Sequence, residues 1–83
     1  MRLTVKLYAG LSPFLPPSAR DNTLELESAE PLTPATIIAR FNLPLELVHI
    51  VLVNGIYVKP EDRDGMQLQD GDTLAMWPPV AGG

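Results

Sequence analysis

The chain has 83 residues, with ten Asp and Glu against six Lys and Arg, a net charge of −4, and no cysteine. A chain this short folds as one small domain without a deep catalytic cleft, and the missing cysteines exclude disulfides, thiolate metal sites and thiol nucleophiles. The acidic balance argues against a nucleic-acid partner, and the absence of a long apolar run argues against a signal peptide or membrane association, so the sequence predicts a cytoplasmic protein.

Two strands are predicted in the first third of the chain. Apolar and polar side chains alternate at residues 2–8 and again at 23–27, where leucines alternate with glutamates. A period of two is typical of a strand with one buried face, so the two segments should pair as a hairpin with the acidic side toward water. The proline-rich segment 10–18 between them predicts a loop. Its PxxP pattern could bind a proline-recognising domain, although anchoring of this loop to the core by its own apolar residues is the simpler interpretation.

A short helix is predicted after the hairpin. Thr33 can accept a hydrogen bond from a free amide of the first helical turn, and Pro34 suits the first helical position. An apolar stripe at 37–41 has helical spacing, and Leu43-Pro44 should end the helix because the residue before proline avoids the helical region. Thr36 stands where a capping box has Glu or Gln, which predicts that this part of the motif is missing.

Three further strands are predicted in the second half. The apolar run 49–53 is followed by Asn54-Gly55, a pair typical of a two-residue hairpin turn, and residues 56–58 return as the paired strand. Residues 70–72 form a tight turn into the last strand, 73–77. The order of strand, strand, helix and three strands predicts an α+β fold of the β-grasp (ubiquitin-like) type. We expect residues 1–77 to form this domain, with a mixed sheet of four to five strands and one main helix packed on one face.

The last strand is predicted to carry an aromatic anchor. If Leu74 and Met76 face the helix, the pleat sends Ala75 and Trp77 to the opposite face of the sheet. Trp77 would then be a suitable anchor for a partner protein, because tryptophan is enriched among the residues that dominate binding energy. The alternative is that a loop covers Trp77 and makes it part of the core.

Residues 78–83 are predicted to form a flexible C-terminal Gly-Gly tail. Pro78-Pro79 cannot continue the sheet and should lift the chain off the domain as an extended stalk. Gly82 and Gly83 have no Cβ, so this end could enter a slot too narrow for other residues and deliver the Gly83 carboxylate. The alternative is an ordinary frayed terminus.

No catalytic or metal-binding arrangement is predicted. His49, the one histidine, starts an apolar strand, and the acidic residues between 61 and 72 do not have the spacing of a calcium loop. A bare carboxylate at Gly83 is a poor acyl donor, whereas an acyl-adenylate has a good leaving group that a sulfur nucleophile could displace. The chain is therefore expected to be the substrate of enzymes, with no bound cofactor, rather than an enzyme.

The chain resembles the ubiquitin-like sulfur carriers, namely the small subunit of molybdopterin synthase and the thiamine-pathway carrier ThiS. The resemblance rests on Val53-Asn54-Gly55, on Leu68-Gln69-Asp70-Gly71-Asp72, and on the ending Trp77-Pro78-Pro79-Val80-Ala81-Gly82-Gly83. This ending is more similar to the molybdopterin branch than to ThiS.

The resemblance implies a function for each residue of the tail. An E1-like adenylyltransferase would use ATP to adenylate the Gly83 carboxylate, and a sulfurtransferase would convert it to a thiocarboxylate. In the molybdopterin branch the tail would then enter the synthase large subunit and donate sulfur. Gly83 would carry the sulfur, and the segment that contacts the partners would comprise Gly82, Ala81, Val80, Pro79, Pro78 and Trp77.

Three alternatives to this function stay open at the level of the sequence. The carrier could serve the thiamine pathway or another that requires sulfur. The same tail could be conjugated to lysines, which would make the chain a protein modifier. A passive β-grasp binding module would need no tail at all.

Overall fold

The computed structural model describes residues 1–79. Within them, the order of strands and helix is the predicted one. The elements are β1 (Arg2–Leu7), β2 (Thr23–Glu27), α1 (Pro34–Arg40), β3 (Ile50–Val53), β4 (Ile56–Tyr57) and β5 (Thr73–Trp77). Short 3-10 helices occur at Ala9–Phe14, Leu45–Leu47 and Pro60–Asp62. No helix in this part of the chain is long and apolar enough to cross a membrane.

The five strands form one mixed sheet in the order β2-β1-β5-β3-β4. The first and last strands, β1 and β5, lie parallel at its centre, and the remaining neighbours are antiparallel. The predicted hairpins β1-β2 and β3-β4 both form. The prediction of an α+β, β-grasp architecture with a mixed sheet is confirmed.

One face of the sheet forms the core together with α1. Alternate strand residues point to this face, and the helix adds Ile37 and Ile38 to the same cluster. The strand residues of this cluster are Leu3, Val5, Leu7, Val51, Val53, Leu74 and Met76. Met76 and Leu74 are 0% and 1% exposed, so β5 presents the predicted pair to the helix side.

The helix begins with a capping box made by two threonines. The Thr33 hydroxyl accepts a hydrogen bond from the Thr36 amide at 3.2 Å, and the Thr36 hydroxyl accepts one from the Thr33 amide at 2.7 Å. The prediction that this part of the motif is missing was wrong, because a threonine hydroxyl can take the place of the longer Glu or Gln side chain. The two hydroxyls thus accept hydrogen bonds from backbone amides that have no partner within the helix.

The proline-rich segment is more regular than predicted. Residues Ala9–Phe14 form a 3-10 helix that contains Pro13, and Leu11 is completely buried. Proline fits such a turn because its fixed φ lies within the 3-10 range. Phe14 and Leu15 pack against the core as expected. The PxxP segment is therefore anchored to the domain, and its first proline is not in the extended conformation that proline-recognising domains bind.

The turn between β3 and β4 also joins the hairpin to β5. Asn54 and Gly55 have φ values of 52° and 83°, as a type I′ turn requires. The Asn54 side-chain amide donates a hydrogen bond to Asp72 at 2.9 Å and accepts one from the Thr73 amide at 2.9 Å. This residue therefore both forms its own turn and holds the start of the last strand.

Arg63 is a buried cation that the sequence did not single out. It is 9% exposed, and its guanidinium donates hydrogen bonds to the carbonyls of Val58, His49 and Val48 at 3.2, 3.2 and 3.5 Å. These bonds tie the segment after β4 to the start of β3. A buried carbonyl without a donor costs free energy, so this cross-link stabilises the hairpin side of the sheet.

We expect Arg63→Met to lower the free energy of unfolding by about 2 kcal/mol, because it leaves these three carbonyls without a donor. Urea unfolding followed by circular dichroism measures the change. Arg20→Met, at an exposed position, is the matched control and should change stability by less than about 0.5 kcal/mol. Equal effects of the two substitutions would show that the Arg63 bonds add nothing.

Candidate partner-binding face

The sheet face opposite the helix has an apolar half. The register places Ala75 beside Leu52, and Trp77 beside Ile50. Tyr57 lies opposite Leu52 on the next strand. The pleat points all of these side chains away from the core, which confirms that Ala75 and Trp77 share the open face. We call this group, together with Tyr8, the apolar strip: Tyr8, Ile50, Leu52, Tyr57, Ala75 and Trp77.

Trp77 is paired with a second aromatic residue. The rings of Tyr8 and Trp77 are stacked, with centroids 4.5 Å apart and planes inclined by 10°. Trp77 is therefore half-buried rather than fully exposed, since Tyr8 covers one face of its ring. Such a stack fixes the orientation of the indole, so a partner would meet a preformed aromatic surface.

The end of β5 is held from both sides. The Trp77 carbonyl accepts a hydrogen bond from the His49 amide at 3.0 Å, and the Met76 carbonyl accepts one from the Tyr8 amide at 3.2 Å. A Cβ at Gly10 would lie 4.0 Å from Pro78 Cγ, so the chain leaves the sheet close to the Ala9–Phe14 helix. The base of the predicted tail therefore starts from a fixed position.

The other half of the open face is polar. The Thr4 hydroxyl donates to the Glu25 carboxylate at 3.1 Å, and Arg2 bonds Glu27 at 2.7 Å. The hydrogen bond that the Arg2 guanidinium donates to the Glu27 carboxylate raises the pKa of Arg2 above its ordinary value. Both members of this ion pair are exposed, so it contributes little to stability. The open face is thus divided into an apolar half on β5-β3-β4 and a polar half on β1-β2.

The predicted site residues are only partly within the described chain. Trp77 and Pro78 are half-buried and Pro79 is exposed. The other predicted positions, Val80, Ala81, Gly82 and Gly83, lie outside the described residues, and their roles stay predictions.

Sequence reasoning did not find Tyr8 or Ile50. Alternation placed Tyr8 on the polar face of β1, and Ile50 was noted only as part of an apolar run. Tyr8 ends a strand face that is otherwise polar, although most of its side chain is apolar. This mismatch was the indication in the sequence that Tyr8 packs against another residue.

The candidate metal-ligating side chains of residues 1–79 do not cluster. No group of three or more His, Asp or Glu side chains among them could hold a metal ion. The His49 side chain is exposed, and its backbone amide donates a hydrogen bond to the Trp77 carbonyl of β5. The sequence-predicted site is represented in residues 1–79 by Trp77, Pro78 and Pro79.

The five-stranded sheet with one main helix and the Gly-Gly ending are typical of ubiquitin-like proteins. The model of the ThiS family matches residues 5–83, and the chain belongs to this family. The comparison with curated proteins found no match.

Solved structures with the same fold come from several ubiquitin-like proteins. The thiamine biosynthesis protein ThiS from Geobacter metallireducens aligns with this chain with a TM-score of 0.67 and 23% sequence identity. SAMP1 from Haloferax volcanii aligns with a TM-score of 0.66 and 23% sequence identity. The complex of subunits 1 and 2 of the molybdopterin-converting factor from Helicobacter pylori contains a chain with a TM-score of 0.62 and 16% identity. Each alignment covers 100% of both chains. At these identities the similarity shows a shared fold.

Proposed function

We propose that this protein is a sulfur carrier whose Gly83 carboxylate is activated and converted to a thiocarboxylate. The carboxylate attacks the α-phosphate of ATP in an E1-like enzyme, which forms an acyl-adenylate and releases pyrophosphate. A sulfur nucleophile supplied by a sulfurtransferase then displaces AMP and leaves sulfur on the Gly83 carbonyl. The observation that carries the proposal is the ThiS-family match, which extends through Gly82 and Gly83.

The position of the start of the tail beside the apolar strip supports a carrier in which the domain is recognised and separate enzymes carry out the catalysis. β5 ends at Trp77, and the paired prolines follow at once beside the apolar strip. A partner that docks on the strip would therefore receive the tail next to its docking site. The domain supplies recognition and the enzymes supply catalysis, so the chain acts as a non-catalytic carrier.

The receiving pathway is proposed from the tail. The ending Pro-Pro-Val-Ala-Gly-Gly favours the molybdopterin branch, in which the synthase large subunit would take the sulfur. The fold is common to both branches, and the matching family model is ThiS. A thiamine-type carrier is therefore the alternative that shares the same tail chemistry.

Mass spectrometry of the chain purified from its own cells tests the proposal. The intact protein and its C-terminal peptide are measured with and without a thiol-selective alkylating reagent. Exchange of oxygen for sulfur adds almost the same mass as oxidation of one of the three methionines, so alkylation is the necessary control. Because the chain has no cysteine, an alkylated thiol in the terminal peptide identifies the thiocarboxylate.

Two results would contradict the carrier function. Adducts of higher mass joined through Gly83, without a thiocarboxylate, would identify a protein modifier. A terminal peptide that stays unmodified when ATP, an E1-like enzyme and a sulfur source are supplied would favour a protein modifier or a passive binding module.

A further inference from the structure

A groove of about 520 Å³ lies beside the β4 edge of the sheet. Its lining combines β4 with the 3-10 helix Pro60–Asp62 and the residues that follow. Val58 and Met66 are the more buried members of this lining, while Ile56, Tyr57, Glu61 and Asp62 are exposed.

The groove exposes more apolar side chain than the rest of the sheet. Ile56 is 71% exposed and Tyr57 is 52% exposed. They form β4, a two-residue edge strand, next to the half-buried Met66. The pleat puts Ile56 on the same side of β4 as Val58 and Tyr57 on the other, so Ile56, Val58 and Met66 supply the apolar side chains of the groove and Tyr57 lies at its edge. Exposed apolar side chains rimmed by polar residues are typical of protein-binding sites.

The rim of the groove is acidic. Glu61 and Asp62 are exposed, and neither side chain forms an ion pair or a hydrogen bond with another residue among 1–79. Neither neighbouring cation forms an ion pair with them. Arg63 is buried with its guanidinium on backbone carbonyls, and Lys59 is not part of the lining.

The edge of β4 can also pair with an added strand. The Val58 amide donates to the Val51 carbonyl at 2.9 Å, so Val58 points its backbone toward β3. Orientation alternates along an antiparallel strand, so Tyr57 points its N–H and C=O outward. An extended peptide laid along β4 could therefore form main-chain hydrogen bonds while its side chains enter the groove.

We propose that this groove binds an extended segment of a partner protein that carries an apolar side chain next to Lys or Arg. The apolar side chain would pack on Val58 and Met66, and the cation would lie beside Glu61 and Asp62. Charge complementarity selects this occupant. A second copy of the chain carries a net charge of −4 and would be repelled, as would an anionic membrane surface or nucleic acid.

The groove lies two strands away from β5, the strand that ends at Trp77. The register places Ile56 level with Val53 and Leu74, three residues along β5 from Trp77. Two strand spacings, about 10 Å, separate β4 from β5. An extended segment held in the groove would touch the apolar strip at Tyr57, which lines both surfaces, and would not reach Trp77. This binding goes beyond the proposed carrier function, and its test does not depend on sulfur chemistry.

Titration of the 15N-labelled chain with small capped peptides tests the proposal. The probes are N-acetylated Leu-Arg amide, Leu-Glu amide and Ala-Arg amide, each followed by two-dimensional 1H–15N NMR spectra. We expect the Leu-Arg probe to shift the amides of residues 56–58 and 61–66 with a millimolar Kd. The other two should bind there more weakly, because each lacks one of the two complementary features.

Two variants separate the charge of the rim from the charge of the whole chain. Glu61→Gln combined with Asp62→Asn should weaken Leu-Arg binding about fivefold, since it removes two exposed partners of the cation. The matched control, Asp21→Asn combined with Glu30→Gln, makes the same change in net charge at exposed positions outside the groove and should leave the Kd unchanged. Neither double variant alters a buried residue.

Several outcomes would overturn the proposal. Equal shifts with the Leu-Arg and Leu-Glu probes would show that the acidic rim selects nothing. The absence of groove shifts at tens of millimolar probe would show that no such segment binds. Shifts at residues 56–66 on raising the concentration of the chain alone would assign the groove to a second copy instead.

Discussion

Removal of Gly82 and Gly83, or addition of one residue after Gly83, should abolish thiocarboxylate formation while leaving thermal unfolding unchanged. If the proposed function holds, deletion leaves the terminal carboxylate on Ala81, two positions short of the place where Gly83 is activated, and an added residue moves it one position too far. Neither change alters residues 1–79, so the free energy of unfolding should stay within about 0.5 kcal/mol of the parent value. The readouts are the mass of the alkylated C-terminal peptide and the melting temperature.

A second readout separates activation from sulfur transfer. ATP–pyrophosphate exchange catalysed by the E1-like enzyme reports formation of the acyl-adenylate alone, and both tail variants should reduce it to background. One residue added before Met1 is the matched control and should leave the exchange rate unchanged. Full exchange with a chain that lacks Gly82 and Gly83 would disprove the role of the Gly83 carboxylate.

Replacement of Trp77 by Ala should weaken binding to the activating enzyme by about 2 kcal/mol, or about thirtyfold in Kd, and should lower stability by less. The indole belongs to the apolar strip at the start of the tail, where a docked partner would bury it. Within the free protein the substitution removes the stack on Tyr8, which is worth about 0.5–1.5 kcal/mol. Isothermal titration calorimetry measures the affinity and urea unfolding measures the stability.

Two further variants separate these effects. Trp77→Phe keeps an aromatic ring on Tyr8 and should retain most of the stability while it loses part of the affinity. Tyr8→Leu removes the same stack from the other side and leaves the indole in place. If Trp77→Ala binds the enzyme as tightly as the parent but unfolds much more readily, Trp77 is a structural residue and not an anchor.

Local patterns predicted most of the elements correctly. Alternation at residues 2–8 and 23–27 identified β1 and β2, because a strand with one buried face imposes a period of two. Asn54-Gly55 identified the β3-β4 hairpin, since few other residues adopt the two positive φ angles of that turn. Thr33 and Pro34 located the start of α1.

The sequence predictions were wrong or incomplete where packing or a backbone hydrogen bond depends on residues that local patterns do not identify. Thr36 completes a capping box that its residue type did not suggest. The segment around Pro13 forms a 3-10 helix, and Leu11 within it is buried in the core. This tertiary packing outweighs the preference of the prolines and glycine in the segment for irregular structure. No local pattern marks Arg63, because the fold brings together the three carbonyls that it bonds.

The sequence by itself determined the strands, the helix, the face on which Trp77 lies and the chemistry expected of the Gly83 carboxylate. These follow from patterns within a few residues, where pleat, capping and turn geometry act. Only the tertiary structure decided that β1 lies parallel to β5, that Tyr8 stacks on Trp77, and that β4 borders an acidic groove. The strand pairing, the aromatic stack and the groove each involve segments that are distant in the sequence, so local periodicity cannot predict them. Burial of a common core brings these segments together.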